Sequence, residues 1–361
     1  MKGNDIYSVI TGTGSYIPSR RIPNEDFLGY DFRDSSGNKF DKPNEEIIRK
    51  LEEITGISER RYISDDLVAS DIAFYAAQDA LESSKSDKEN FDYLIVAHNF
   101  GDIRADNRRS DFVPTIASRV KHKLRIENPK TIAYDLPFGC PGWLQAMIQA
   151  DYYLKSGDAG KALVIGAETL SRISDPHDRD SMIYADGAGA AIVEARTSRE
   201  PVGILSHATR SDTLEHAFML KMDRSFNSGH GTGELFLKMD GHKLYEYALS
   251  TVPLVVKESL DKANLCLDDV NRILIHQANA KMDEAILKRI YKKYSANGAP
   301  LHVMPMIISY LGNSSVATLP ILLDMVVKGK LKNYETKNGD IIVFASVGAG
   351  MNINSMVYKT P

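Results

Sequence analysis

The chain has 361 residues, 43% hydrophobic and 25% charged, with a formal net charge of −4. That is enough apolar material for a large core in two domains or one large duplicated one, and it supplies no general drive toward nucleic acid or an anionic membrane. Two cysteines cannot build a disulfide framework and lack zinc-site spacing, no apolar run is long enough to span a bilayer, and the N-terminus lacks a signal-peptide pattern, so the expectation is a cytoplasmic enzyme.

In chain order, Ser8 to Pro18 reads as a buried strand ending in a glycine turn, Gly12-Thr13-Gly14; no helix follows to complete a phosphate cradle. Residues 24–43 are polar, and the excursion 31–43, rich in turn formers, is long enough to suspect a functional loop. Helices are predicted over 45–54 and 71–81, a strand over 91–98, and a helical stretch over 113–124. The strand at Thr131 to Tyr134 then leads into Asp135-Leu136-Pro137-Phe138-Gly139-Cys140-Pro141-Gly142-Trp143. Gly139 permits a sharp bend, and Pro141 suits the first turn of the helix whose apolar pattern runs from Trp143 to Leu154. Cys140 therefore sits at a helix N-terminus, where partial positive charge favours thiolate over thiol. A strand at 162–167, a polar loop at 171–181 and a glycine turn with strand at Asp186 to Glu194 follow.

The second half repeats this order. Helix 245–262 and strand 270–275 match helix 71–84 and the strand from Phe91. Gly312-Asn313-Ser314-Ser315 opens a helix as Gly139-Cys140-Pro141 does. Gly339-Asp340 and its strand match Gly157-Asp158, and Val347-Gly348-Ala349-Gly350 matches the turn at Asp186. Each half, 1–198 and 199–361, is then expected to be a sheet covered by helices. The duplication brings Cys140, Asn313 and His276, which directly follows a buried strand, toward one interface. A thiolate beside two nitrogen donors is what acyl transfer followed by carbanion attack requires.

Cys-Pro-Gly at a helix start, His276-Gln277-Ala278-Asn279 after a strand, Gly312-Asn313-Ser314-Ser315 before a helix and the closing Gly348-Ala349-Gly350, in this order and spacing, resemble the β-ketoacyl-acyl-carrier-protein synthase III family. The similarity runs from Thr11-Gly12 to the last strand, through Thr55-Gly56-Ile57 and Asp186-Gly187-Ala188-Gly189. The resemblance implies an α/β thiolase-like fold, two mixed sheets stacked with helices in a five-layered α/β/α/β/α core, and a homodimer. It implies decarboxylative Claisen condensation: Cys140 takes an acyl group from a coenzyme A or carrier-protein thioester, and His276 and Asn313 assist loss of carbon dioxide from a malonyl thioester. Backbone N–H groups of Cys140 and Ala349 would form the oxyanion hole. Lys281, Asn279 and Arg179 would meet the carrier protein or coenzyme. Phe112, Val113 and Trp143 would shape the acyl pocket, the first two through the partner subunit. No metal and no permanently bound cofactor is implied; coenzyme A and phosphopantetheine thioesters are substrates.

Several positions depart from the family pattern. No tryptophan precedes Thr55-Gly56-Ile57, where the family stacks one on the coenzyme adenine, and Ile54 replaces an arginine. Lys281 stands where the family has arginine, and Pro141-Gly142-Trp143 replaces Ser-Gly-Phe. The acyl chain and its donor are left open, as is the packing of Phe112, Trp143, Phe218, Met222 and Phe226 about the pocket. A related acyltransferase, a head-to-head acyl condensing enzyme and a non-catalytic heterodimer partner are the alternatives; intact Cys140, His276 and Asn313 argue against the last. Cys266, in a helix-to-strand connection, reads as structural.

Overall fold

The computed structural model describes residues 5–231, 233–295 and 298–361. Its strands fall into two main sheets. In the first, β1 (Asp5–Tyr16) is followed across the sheet by β5 (Asp186–Ser198), β4 (Lys161–Thr169), β2 (Tyr93–His98) and β3 (Ile132–Pro137). In the second the order is β6 (Gly203–Ser211), β9 (Asn352–Lys359), β8 (Ile341–Gly348) and β7 (Val270–Ile275). Reading β1-β5-β4-β2 against β6-β9-β8-β7, each sheet has two antiparallel pairings and then a parallel one. The repeat written in the sequence is therefore a repeat of topology. β3 extends the first sheet as an edge strand, parallel to β2.

Strands buried on both faces carry near-continuous apolar runs, and the pleat sends alternate residues to opposite layers. Leu94 and Val96 face α2 (Ala69–Ser84) and α3 (Ile116–Lys123), whereas Ile95 and Ala97 face α4 (Gly142–Ser156) and α7 (Thr318–Val327). On the second sheet Leu274 joins that central layer, while Ile273 and Ile275 pack under α5 (Gly241–Lys262) and α6 (Ala280–Lys293). The result is helix, sheet, paired central helices, sheet, helix. A helix with sheets on both sides must be apolar all round, and every residue of α7 from Thr318 to Val326 is buried. Its one carboxylate, Asp324, is satisfied by the Thr13 and Ser15 hydroxyls of β1 at 2.9 and 2.7 Å and by Lys328.

Two glycine pairs expected in turns lie inside strands instead. Gly12 and Gly14 belong to β1, and a Cβ on Gly14 would stand 2.3 Å from the Ala76 carbonyl of α2. Gly187 and Gly189 open β5, and a Cβ on Gly189 would stand 2.7 Å from the Ile321 amide of α7. In both cases glycine lets a helix backbone rest on the strand. Pro141, expected in the first turn, is the cap residue just outside α4, which ends at Gly157 in the left-handed region. Among the described residues no helix is long and apolar enough to cross a membrane.

Candidate active site

The parallel strands β2, β3, β4, β7 and β8 point their carboxyl ends toward one region, where open α/β sheets place ligands. Asn99 follows β2, Cys140 lies between β3 and α4, Glu168 is near the end of β4, His276 follows β7, and Ala349 follows β8. Asn313 lies just before the helical turns leading into α7. Cys140, His276, Asn313, Ser315, Gly348 and Ala349 all line a cavity of about 220 Å³. Its apolar wall includes Phe100 and the ribbon formed by Leu220–Asp223 with Phe236–Met239.

Each side chain is held by local backbone contacts. Gly139 and Gly348 allow the nucleophile turn and the closing turn to touch: a Cβ on Gly139 would lie 2.7 Å from the Ala349 amide, and one on Gly348 would lie 2.6 Å from the Cys140 amide. The His276 N–H donates to the Ala345 carbonyl at 2.9 Å, continuing the β7–β8 ladder by one residue. Its ring is buried, neither ring nitrogen has a partner among the described residues, and burial pushes its pKa down to about 4. The imidazole is neutral at neutral pH and able to donate into the cavity. Asn313 is stitched to the first half: its N–H donates to the Ile183 carbonyl at 3.0 Å, and its own carbonyl accepts from Ala185 at 2.8 Å. Its Oδ1 accepts from the Ser315 N–H at 2.8 Å, which turns the amide nitrogen away from that backbone.

Cys140 differs from expectation in its electrostatics. Burial, with the Glu168 carboxyl as a smaller contribution, pushes the thiol up to about 11 against the lowering effect of the Ser315 hydroxyl. Desolvation outweighs the helix terminus, so the resting group is a thiol. Ser315, Asn99 and Glu168 were not singled out by sequence reasoning, and neither was the role of Gln277. The buried Gln277 amide donates to the Pro305 carbonyl at 2.8 Å and accepts from Ile307 and Ile308, fixing the segment that leads to Asn313. The only sequence signal for Asn99 and Glu168 is their position at strand carboxyl ends.

The remaining expected residues divide. Trp143 is not in the pocket: its ring is fully buried in the central layer beside Phe344, with the indole N–H toward the Val164 carbonyl at 3.4 Å. As the second residue of α4, it faces the core and not the cavity. Phe112 packs on His98, and Val113 is 85% exposed; neither lines the cavity of its own chain. A wider vestibule of about 1230 Å³ adjoins the cavity through Ile183, Lys221, Met239 and Met282. Arg179 and Asn279 lie on it, as do Phe218 and Phe226, whereas Met222 lines the inner cavity. The Asn279 side chain also caps α6, accepting from the Met282 N–H at 3.1 Å, and Lys281 is exposed in the first turn of that helix. The excursion 31–43 forms part of the vestibule wall: Phe32 is buried against α1 (Asn44–Thr55), and the Phe40 ring lies 5.2 Å from the Arg179 guanidinium. Cys266 is exposed, its sulfur 3.1 Å from Asp269.

Comparison with known proteins accords with this geometry. The family model of 3-oxoacyl-acyl-carrier-protein synthase III matches residues 134–213, which include Cys140, and the model of its C-terminal region matches 260–360, which include His276, Asn313 and Ala349. The β-ketoacyl-acyl-carrier-protein synthase III of Thermus thermophilus is 30% identical, with 98% of this chain and 99% of that one covered and a TM-score of 0.78. The priming β-ketosynthase of a polyketide biosynthetic pathway is 25% identical over 100% of this chain and 98% of its own, at a TM-score of 0.80. OleA of Xanthomonas campestris, 18% identical over 99% of this chain and 100% of its own at 0.77, shares the fold. With the thiolase-like fold, the duplicated sheets and full-length matches all in agreement, the chain belongs to the 3-oxoacyl-acyl-carrier-protein synthase III family of condensing acyltransferases.

Proposed function

We propose that the protein condenses an acyl group carried on Cys140 with a malonyl thioester on acyl-carrier protein, giving a β-ketoacyl product for fatty-acid initiation or a specialised lipid or polyketide. The observation that carries this reading is one cavity holding a thiol, a neutral histidine with both ring nitrogens unpartnered among the described residues, and an asparagine amide oriented by a backbone N–H. In the first half-reaction the Cys140 sulfur attacks the donor thioester. The amides of Cys140 and Ala349, brought side by side by Gly139 and Gly348, stabilise the tetrahedral oxyanion. In the second, carbon dioxide leaves the malonyl group and negative charge collects on its thioester oxygen. His276 and Asn313 donate to that oxygen, and the enolate carbon attacks the acyl-Cys140 carbonyl, forming the new carbon–carbon bond and expelling the Cys140 sulfur as a thiolate. A neutral histidine suits this role because it donates without offering an acidic proton that would quench the carbanion.

The vestibule suits a phosphopantetheine arm, and Arg179, Asn279 and exposed Lys281 lie where the arm's phosphate or an acidic carrier protein would approach. Coenzyme A and carrier protein are both candidate donors, and no cofactor is bound permanently. We place the enzyme in the cytoplasm as a homodimer. The edge strand β3, with exposed Ile132 at its start, and the separately exposed Phe112 and Val113 are apolar surface open to a second copy. The test is intact mass after incubation with a panel of acyl thioesters, followed by malonyl-carrier protein. An adduct on Cys140 that departs as a β-keto product with carbon dioxide carries the reading. An adduct that survives malonyl-carrier protein and clears only with an alcohol, amine or second acyl chain overturns it in favour of a transferase.

A further inference from the structure

A chain of hydrogen bonds runs from the buried core to the nucleophile. The Glu168 Oε2 accepts from the Asn99 backbone N–H at 2.9 Å and from the Asn99 side-chain Nδ2. The same Nδ2 donates to the Ser315 hydroxyl oxygen at 3.1 Å, and that hydroxyl lies 3.3 Å from the Cys140 sulfur. Burial pushes the Glu168 pKa up, yet its Oε2 already accepts from the Asn99 backbone N–H, so the Asn99 side chain presents its nitrogen to that oxygen and its second N–H to the Ser315 oxygen. The serine hydroxyl lies within reach of sulfur with its proton free to donate there as negative charge develops on Cys140. Ser315 adopts φ 51°, a left-handed conformation that non-glycine residues hold only when their surroundings impose it, and such residues gather at active sites.

We propose that Ser315 is a further catalytic residue, its hydroxyl donating to the Cys140 sulfur as the thiol becomes a nucleophile, and that Asn99 and Glu168 are positioning residues holding that hydroxyl in its donating orientation. Its role in acyl loading rests on the condensing reading above. In that step the bond between the Cys140 sulfur and the acyl carbon forms, the donor's acyl–sulfur bond breaks, and the thiol proton ends on the departing thiolate. Ser315 keeps its own proton and stabilises the negative sulfur on the way. The half-buried sulfur, whose charged form desolvation disfavours, has need of such a donor. In condensation the bond between the acyl carbon and the Cys140 sulfur breaks and negative charge returns to that sulfur, so the same hydroxyl is placed to stabilise the departing thiolate. Asn313 is oriented by the Ser315 backbone N–H, which a side-chain substitution leaves in place.

The decisive experiment needs no acyl substrate. The rate of iodoacetamide alkylation at Cys140 is followed by mass spectrometry across a pH series, with exposed Cys266 as reference in the same molecule. In Ser315→Ala the Cys140 rate should fall about tenfold relative to Cys266 and its profile should move to higher pH, since a hydrogen bond to a charged group is lost. Asn99→Ala, which leaves residue 315 intact, should move the profile in the same direction by a smaller amount. Profiles superimposable on wild type in both variants overturn the proposal. If wild type accepts no acyl group while Ser315→Ala still depresses Cys140 reactivity, the condensing reading fails and the serine's action on sulfur stands. If wild type loads acyl groups and Ser315→Ala alkylates as wild type does, the serine assignment fails alone.

Discussion

Replacing His276 by asparagine should change how stability depends on pH. The imidazole is buried, without a partner for either nitrogen among the described residues, and burial pushes its pKa down to about 4. In the unfolded chain a histidine titrates near 6.5. As pH falls through about 6.5 the unfolded chain binds a proton that the folded protein refuses, so folding stability drops between there and about 4 and is unaffected above neutrality. Integrating from about pH 7 to about pH 4.5 gives a loss of about 2 kcal/mol assignable to this one group. The assay is guanidinium unfolding of wild type and His276→Asn at both pH values and a single protein concentration. Wild type should lose about 2 kcal/mol more than the variant on acidification. Parallel losses would show that His276 is not held neutral, and the donor role assigned to it in decarboxylation would fall with that result. The same property predicts that kcat for condensation does not decline with a midpoint near the ordinary histidine value.

Asn313→Ala should keep acylation of Cys140 and lose condensation by roughly a hundredfold or more, since one donor to a developing oxyanion is removed; mass-spectrometric loading and product formation separate the two steps, and equal loss in both would count against the assignment. Trp143→Ala should destabilise the protein by about 3–5 kcal/mol in denaturant unfolding by emptying a buried site between the sheets, with acyl-chain preference unchanged; a shifted preference would return the ring to the pocket. Gly189→Ala places a methyl 2.7 Å from the Ile321 amide, so α7 must move, and a loss of about 1–3 kcal/mol is expected; unaltered stability would mean that the strand and helix can separate freely.

Periodic features were readable from the sequence alone. The alternation of Leu94 and Val96 with Ile95 and Ala97, and the same pattern at Ile273 to Ile275, belongs to single strands. Because the order of elements is written twice, each half also served as a check on the other. Features created by contact between distant segments were not readable. Gly12 and Gly14 looked like a turn because the helix that needs them, at Ala76 and Ala80, is far along the chain. Trp143 follows the nucleophile in sequence, but Cys140 lies outside α4 and Trp143 within it, so adjacency placed them in different layers. The helix terminus at Cys140 was visible, while the burial that outweighs it depends on residues from both halves.

The site also explains why a duplicated fold yields an asymmetric pair of groups. Equivalent helix starts precede α4 and α7, and equivalent strand ends follow β2 and β7. Symmetry therefore supplies four presenting positions around one cavity, occupied here by Cys140, Asn313, Asn99 and His276. In the proposed mechanism the two halves divide the chemistry by residue type at matched places: the first half would supply the nucleophile, and the second half the two donors to the developing oxyanion. Ser315 crosses that division, since it belongs to the second half and bonds to sulfur in the first. Its N–H orients the amide for the second half-reaction, and its hydroxyl faces the thiol of the first. A single residue with φ 51° thus touches both Cys140 and Asn313, a contact between the halves that motif matching on either half could not reveal.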